Sequence, residues 1–288
     1  MKYLSMLAII SLIAWSATAA IAGIIFEDNF DGYSDSPLNH GWTAMGSQVA
    51  PTNNGGFNNT RGIEITYDHQ GYWDFVFNKK IANLKLHEMH VRFYFKVDNP
   101  SGGSKFMKFF GIRDGNNYAN TTFMIQYWKS TLFEISYGNG SSITNDTQAV
   151  IRYAGDKVSD DKVKVLVAKG PYDPRDGQWH CFEVYMRYND NGQRNGEYKV
   201  WIDGVLWVHA TNVKNRNDLN SPYFGRVELG GYTHTNWEHT WHIWYDNVVF
   251  SDQYIGPVNS VQSTSVSSES PSSISTPATV QDFHPAPQ

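Results

Sequence analysis

Residues 177–204 read GQWHCFEVYMRYNDNGQRNGEYKVWIDG, and this stretch decides the fold class. Apolar side chains recur in it at every second position, first from Phe182 to Tyr188 and again from Tyr198 to Ile202. A period of two is typical of a β-strand that buries one face. The dipeptide Asn191-Gly192 between the two runs is a turn signal. The stretch therefore predicts two strands separated by a turn.

The same alternation recurs along the chain, in segments separated by glycine-containing turn signals. It is clear in Val91–Val97 and Ile63–Thr66, and Phe123–Trp128 and Trp241–Phe250 are further candidates. Many short strands spaced by turns predict an all-β sandwich or barrel. Only residues 156–169 leave room for a helix, and three alternating valines favour a strand even there.

The two ends of the chain differ from its middle. Residues 1–22 combine Lys2, an apolar run from Leu4 to Trp15 and small residues, which predicts a signal peptide. An uncleaved anchor is the alternative. Residues 256–288 are rich in Ser, Thr and Pro, a composition that predicts a disordered tail. We therefore expect one folded domain over residues 23–255, secreted to the extracellular space and without a membrane span in the mature protein.

Composition limits how the domain is held together and what it binds. The single cysteine, Cys181, excludes an internal disulfide, so the core must stabilise the fold. The formal net charge is -5, and the basic residues are scattered. Nucleic acid is therefore not an expected partner. The sequence leaves the oligomeric state open.

Three motifs, at residues 177–204, 26–32 and 244–250, together resemble the concanavalin A-like jelly-roll superfamily, which includes laminin-G-type domains, lectin-like modules and polysaccharide lyases. The first is Gly177-Gln178-Trp179-His180 followed by Trp201-Ile202-Asp203-Gly204. The others are residues 26–32, FEDNFDG, and residues 244–250, WYDNVVF, near the two ends of the domain. The resemblance implies an antiparallel jelly-roll sandwich of two sheets, closed by pairing of the terminal strands. It does not fix the chemistry, because this fold carries several functions.

Glycoside hydrolysis is not expected. Laminarinase-type members of the superfamily carry two catalytic carboxylates on a Glu-x-Asp-x-Glu strand, and a retaining mechanism needs them about 5 Å apart. This chain has no such strand, since Tyr185 and Arg187 follow Glu183 at the alternate positions.

The leading functional hypothesis is a lectin-like domain that binds extracellular polysaccharide. Sugar rings stack on aromatic side chains, while their hydroxyl and carboxylate groups bind Arg, Lys and Gln. The residues predicted to bind glycan are Arg92, Tyr94, Lys96, Gln126, Tyr185, Arg187, Trp201 and Trp237.

Two alternatives remain open. One is a polysaccharide lyase that cleaves a uronate-containing glycan by β-elimination. It needs a group that neutralises the uronate and a Tyr or His that moves the proton. The candidates are Arg92, Tyr94, Tyr185 and His242. The other alternative is a protein-binding surface module, as many laminin-G-type domains are.

A structural calcium ion is the only cofactor that the resemblance implies. Members of the superfamily often hold one through an acidic residue of the closing strand and main-chain carbonyl groups near the first strands. Asp246 matches that position, with Glu27 and the carbonyl group of Gly62 as predicted partners. Oxygen ligands of this kind suit calcium.

Overall fold

The computed structural model describes residues 23–44, 48–67, 77–98, 107–114, 121–128, 132–137, 149–152, 164–167, 176–213, 215, 223–230 and 240–258. The predicted signal peptide and residues 259–288 of the predicted tail lie outside these ranges. No helix within the ranges is both long and apolar enough to cross a membrane.

The regular structure of these ranges consists of short 3-10 helices and β-strands. The 3-10 helices are Pro37–His40, Phe57–Asn59 and Ala82–Leu84. The strands are β1 (Ile24–Asp28), β2 (Trp42–Ala44), β3 (Val49–Thr52), β4 (Gly62–Tyr67), β5 (Phe77–Lys80), β6 (Glu88–Val97), β7 (Met107–Asp114), β8 (Thr121–Trp128), β9 (Leu132–Tyr137), β10 (Ala149–Arg152), β11 (Lys164–Val167), β12 (His180–Arg187), β13 (Gly196–Ile202), β14 (Val205–Val213), β15 (Phe224–Leu229) and β16 (Trp241–Ser251).

The strands form two antiparallel sheets. Sheet A has the order β11-β14-β13-β12-β6-β16-β4-β3, and β1 also pairs with β16. Sheet B has the order β10-β9-β8-β7-β15-β5-β2. The predicted all-β sandwich of two sheets is confirmed. Within residues 156–169, the described segment Lys164–Val167 is a strand.

Pairing of the terminal strands is also confirmed. Phe26, Glu27 and Asp28 of β1 lie opposite Phe250, Val249 and Val248 of β16. β16 also pairs with β6 and β4, so it occupies the middle of sheet A. The last strand in the sequence, β16, therefore pairs with three strands from the N-terminal part of the domain, namely β1, β4 and β6.

Aromatic side chains from both sheets fill the core between them. Phe93 of sheet A stacks on Phe110 of sheet B with ring centroids 4.9 Å apart, and Phe95 stacks on Phe109 at 4.6 Å. All four side chains are fully buried. This burial supplies the stability that disulfides would provide in a smaller secreted domain. The thiol of Cys181 is free and buried.

The motif at residues 177–204 is a hydrogen-bonded unit. Strands β12 and β13 pair. Asp203 and Gly204 form the turn from β13 to β14, and both have positive φ, as a two-residue hairpin turn of this kind requires. The Asp203 carboxylate returns to the start of β12, where it accepts the Cys181 N–H at 2.8 Å and lies 2.8 Å from Nδ1 of His180. The Asp-Gly turn is thus fastened to the Trp-His segment of the motif.

The hydroxyl group of Tyr245 links the two sheets. It donates a hydrogen bond to the carbonyl oxygen of Phe109 at 2.6 Å and accepts one from the Gly230 N–H at 2.9 Å. Phe109 lies in β7 and Gly230 follows β15, so one side chain of sheet A holds two neighbouring strands of sheet B. Tyr245 is fully buried, and this burial raises the pKa of its hydroxyl group well above the ordinary value.

We predict that Tyr245→Phe lowers the free energy of unfolding by about 1–2 kcal/mol, because buried main-chain groups lose a partner. For a domain of this size, that corresponds to a fall in Tm of roughly 2–8 °C in a thermal melt. Tyr254→Phe is the control, since Tyr254 is 44% exposed. Equal Tm values for the two variants would contradict the proposed link.

Candidate functional site

The outer face of sheet A carries most of the residues that the sequence predicts to bind glycan. Strands β6, β12 and β13 are neighbours, and on them lie Arg92, Tyr94 and Lys96, then Tyr185 and Arg187, then Trp201. The core residues of these strands, such as Phe93 and Phe182, alternate with them. The structure therefore brings this part of the predicted set together on one face.

Much of this face is covered by other parts of the same chain. Arg92 is only 6% exposed, and its guanidinium group donates to the carbonyl oxygens of Gly256 at 3.3 Å and Asn247 at 3.4 Å. Tyr94 is 3% exposed and stacks against Phe57 with centroids 3.8 Å apart.

The covering segment is residues 252–257, which we call the C-terminal strap. It is held by Glu183, a buried carboxylate that accepts the main-chain N–H groups of Ile255 at 2.9 Å and Gly256 at 2.7 Å. Tyr254 of the strap packs against Trp201 with centroids 4.9 Å apart. The strap extends the folded part of the chain past residue 255, into the start of the predicted tail.

The remaining predicted residues occupy several places. Tyr185 donates to Glu88, Arg187 donates to the carbonyl oxygen of Asn195, and Lys96 lies over the rings of Trp179 and Trp244. Nδ1 of His242 is 2.8 Å from Asp98. Gln126 lies in β8 of sheet B, opposite Glu134 and Lys108 in register, and Trp237 lies outside the described residues. The functional roles of all these residues stay predictions.

The outer face of sheet B carries a buried charge cluster that sequence reasoning missed. Arg113 of β7 and Arg226 of β15 are directly opposite in register. Both meet the carboxylate of Glu228, since Nε of Arg113 is 2.8 Å from one oxygen and Nε of Arg226 is 2.5 Å from the other. The Glu228 side chain has no solvent exposure, and the arginine side chains are 12% and 11% exposed. Glu228 thus holds two guanidinium groups side by side.

Burial and charge act on Glu228 in opposite directions. Burial raises the pKa of its carboxyl group, whereas the charges and hydrogen bonds of Arg113 and Arg226 lower it. Among the described side chains, the cluster contains two guanidinium groups and one carboxylate. Guanidinium groups bind carboxylates through paired hydrogen bonds, so the cluster contains donors of a kind that suits an anionic ligand.

Asn78 adds an unpartnered amide to this cluster. It lies on β5 directly opposite Glu228 in register and is 1% exposed. Neither Oδ1 nor Nδ2 has a hydrogen-bond partner in the described structure. A buried polar group without a partner costs about 1–3 kcal/mol, so it calls for an explanation.

The sequence did carry a signal for this cluster. Arg226 and Glu228 alternate with the apolar residues Val227 and Leu229, whereas Phe224 breaks the alternation at the register shift between Phe224 and Arg226. The pattern gives the strand and its two faces. It does not show that Arg113 and Asn78, from distant segments, lie on the neighbouring strands.

Asp246 occupies a separate buried position on the outer side of sheet A. Its Oδ2 atom accepts the Phe57 N–H at 2.8 Å and lies 3.1 Å from the hydroxyl group of Thr60, while Oδ1 accepts the Asn247 N–H at 2.6 Å. The same hydroxyl group is 2.6 Å from the carbonyl oxygen of Phe57 and 3.4 Å from that of Arg61. Three acceptor oxygens thus surround a single hydroxyl hydrogen.

Several features of this position fit calcium. Asp246 is completely buried and has no ion pair with a cationic side chain in the described structure. Burial raises the pKa of Asp246 from 3.8 to about 7, which is the mark of a carboxylate without charge compensation. Gly56 adjoins it so closely that a Cβ atom there would lie 2.6 Å from Oδ2. We propose that Asp246, Thr60 and the carbonyl groups of Phe57 and Arg61 would hold the ion.

The other two predicted calcium ligands are placed differently. Glu27 lines a cavity of about 380 Å³ together with Arg92 and Asn247. Gly62 begins β4, next to the carbonyl oxygen of Tyr245. Within the described ranges, no three side chains of His, Cys, Asp and Glu come together as a metal site. The roles of Glu27 and Gly62 stay predictions, and main-chain oxygens would supply two of the four proposed ligands.

Solved structures share this fold. An endo-β-1,4-glucuronan lyase from the fungus Trichoderma reesei is 15% identical, with 80% of this chain and 96% of the lyase covered and a TM-score of 0.55. The cellulose induced protein Cip1 is 14% identical, with 81% and 100% covered and a TM-score of 0.53. No protein-family model and no curated protein sequence matches the chain. The likenesses confirm the predicted jelly-roll fold.

We predict that calcium stabilises the protein in a pH-dependent way. The raised pKa of Asp246 means that the folded state binds more protons than the unfolded state between about pH 4 and 7. Without metal, the free energy of unfolding therefore falls as pH rises through that window. Calcium needs the ionised carboxylate, so it should raise Tm by about 5–10 °C at pH 8 when present at 100 times its dissociation constant.

The measurement is a set of thermal melts at pH 5 and pH 8, with chelator and with calcium. The rise in Tm should be much smaller at pH 5, where the carboxyl group is protonated. Asp246→Asn should remove both the calcium effect and the pH dependence assigned to this group. Identical melting curves with chelator and calcium at pH 8 would exclude the site.

Proposed function

We propose that this protein is a polysaccharide lyase that cleaves a uronate-containing glycan on the outer face of sheet B. One observation carries the proposal, namely the unpartnered, buried amide of Asn78 beside the Arg113–Glu228–Arg226 cluster. The fold likeness to a glucuronan lyase supports the same reaction class. The apolar segment at residues 1–22 supports export, which would place the substrate outside the cell.

The reaction is a β-elimination. A base removes the proton from C5 of the uronate, the electron pair forms a C4–C5 double bond, and the bond from C4 to the glycosidic oxygen breaks. The departing oxygen takes up a proton, so the products are a new chain end with a hydroxyl group and an unsaturated uronate. The slow step places negative charge on the carboxylate that adjoins C5, and donors aimed at that charge lower the barrier.

The cluster on sheet B supplies donors of the required kind. Arg113 and Arg226 carry positive charge, and Asn78 carries an N–H donor with no competing partner in the described structure. Glu228 fixes both guanidinium groups before substrate arrives, so little reorganisation is needed during the reaction. In this proposal these residues neutralise the uronate, a role that the sequence had assigned to Arg92.

The proton-transferring residue is a Tyr or His in this mechanism. The described side chains on the outer face of β2, β5, β7 and β15 include neither type. Tyr72, Tyr232 and His234 belong to segments outside the described residues. Their phenylalanine or glutamine variants belong in the assay panel, because loss of turnover with retained glycan binding identifies the base.

We predict that the wild-type protein raises the ultraviolet absorbance of at least one uronate glycan, such as glucuronan or alginate, by forming the unsaturated product. Asn78→Ala should lower kcat/KM about 100-fold or more, as loss of a donor to developing charge does. The same variant should keep or raise Tm, because it removes an unsatisfied buried amide.

Asn83→Ala is the matched control, since Asn83 is exposed in the 3-10 helix at Ala82–Leu84. It should leave both turnover and Tm unchanged. Retention on glycan affinity gels without any product would favour the lectin-like interpretation, which would then be tested by Tyr185→Ala and Trp201→Ala. Full activity of Asn78→Ala would contradict the proposed site.

A further inference from the structure

We infer that the glycan chain crosses sheet B at right angles to its strands, and that Lys80 binds the chain beyond the arginine pair. The inference rests on the proposed function and deepens it. Lys80 would add binding affinity only for longer substrates. It is distinct from the residues that act on the cleaved unit.

The strand register places three cations in one row. Lys80 of β5 lies opposite Arg226 of β15, and Arg226 lies opposite Arg113 of β7. Directly opposite residues of antiparallel strands project from the same face, and neighbouring strands are about 4.8 Å apart. The row therefore runs perpendicular to the strands and spans about 10 Å.

A second row runs beside the first and carries no cation. It consists of Thr43, Asn78, Glu228 and Gly111, again in register across β2, β5, β15 and β7. Among the described side chains of these two rows, three cations and one carboxylate give a charge of +2. The whole chain has a net charge of -5, so the residues of these two rows have the opposite sign to the chain as a whole. Local charge of this kind selects an anionic ligand.

Exposure changes along the cation row. Arg113 and Arg226 are partly exposed at one end, while Lys80 is exposed at the other and has no hydrogen bond or ion pair in the described structure. Exposure therefore increases from the arginine pair toward β5. One carboxylate group would need only the arginine pair, whereas a chain of repeated carboxylates would also reach the exposed lysine.

The shape of the row distinguishes a polymer from a small anion. Charges about 5–10 Å apart still interact at 0.1 M salt, where the screening length is about 10 Å. Lys80 should therefore add affinity only for substrates that extend past the arginine pair. Its contribution is to binding and not to the reacting atoms, so KM should change and kcat should not.

The experiment compares Lys80→Ala with the wild-type protein on a uronate polymer and on the shortest oligosaccharide that the wild type cleaves. We expect KM for the polymer to rise about 3- to 10-fold at low salt with kcat unchanged, and the short substrate to be unaffected. The difference should shrink as salt is added. Lys85→Ala is the control, because Lys85 is exposed nearby but packs over Tyr223.

The outcomes separate the inference from the proposed function. Equal effects of Lys80→Ala on long and short substrates, or no effect on either, would overturn the chain path while leaving the lyase proposal standing. Absence of turnover by the wild type would refute the lyase proposal instead. The chain path would then be tested by retention on polyuronate affinity gels. If the wild type is retained and Lys80→Ala is retained equally, the chain path is overturned.

Discussion

The hydroxyl group of Tyr245 is the contact on which the arrangement of the two sheets depends. A sandwich held only by apolar packing can slide, since dispersion and burial are not directional. The hydrogen bonds from this hydroxyl group to Phe109 and Gly230 are directional, and they bind β16 to β7 and to the end of β15. Arg113 and the Arg226–Glu228 pair lie on those two strands of sheet B. The position of the candidate site is thus set from inside the core.

The two outer faces of the sandwich differ in how their buried polar side chains are partnered. On sheet A, the residues that would attract a ligand are already engaged by main-chain groups, as Glu183 is by the strap and Asp246 by the turn at Phe57. These contacts tie both carboxylates to the main chain, although Asp246 has no compensating cation and Nε of Arg92 has no hydrogen-bond partner in the described structure. On sheet B, Asn78 remains unsatisfied. A protein keeps such a cost where function requires it, because stability alone would remove it.

The sequence predicts the strands but not the candidate site, because the site depends on contacts between distant segments. Alternation in β6 and β12 predicts a strand with one buried face, because side-chain direction has a period of two. Whether the other face is open depends on what crosses it. The segment over Arg92 contacts it through Gly256, which is 164 positions away in the sequence. A main-chain contact at that distance leaves no mark in a local pattern. The partners of Arg226 could not be predicted for the same reason. They lie on β5 and β7, which are neighbours of β15 in the sheet but distant from it in the sequence.

The central place of β16 in sheet A has a consequence for how the molecule is made. A chain emerges from the ribosome from its N-terminus, so β1, β4 and β6 exist long before the strand that joins them. Folds dominated by such long-range pairings form slowly. During most of its synthesis the nascent chain lacks the strand that completes sheet A. Sheet A is therefore completed only when β16 has left the ribosome, so the chain stays incompletely folded until its synthesis is nearly finished.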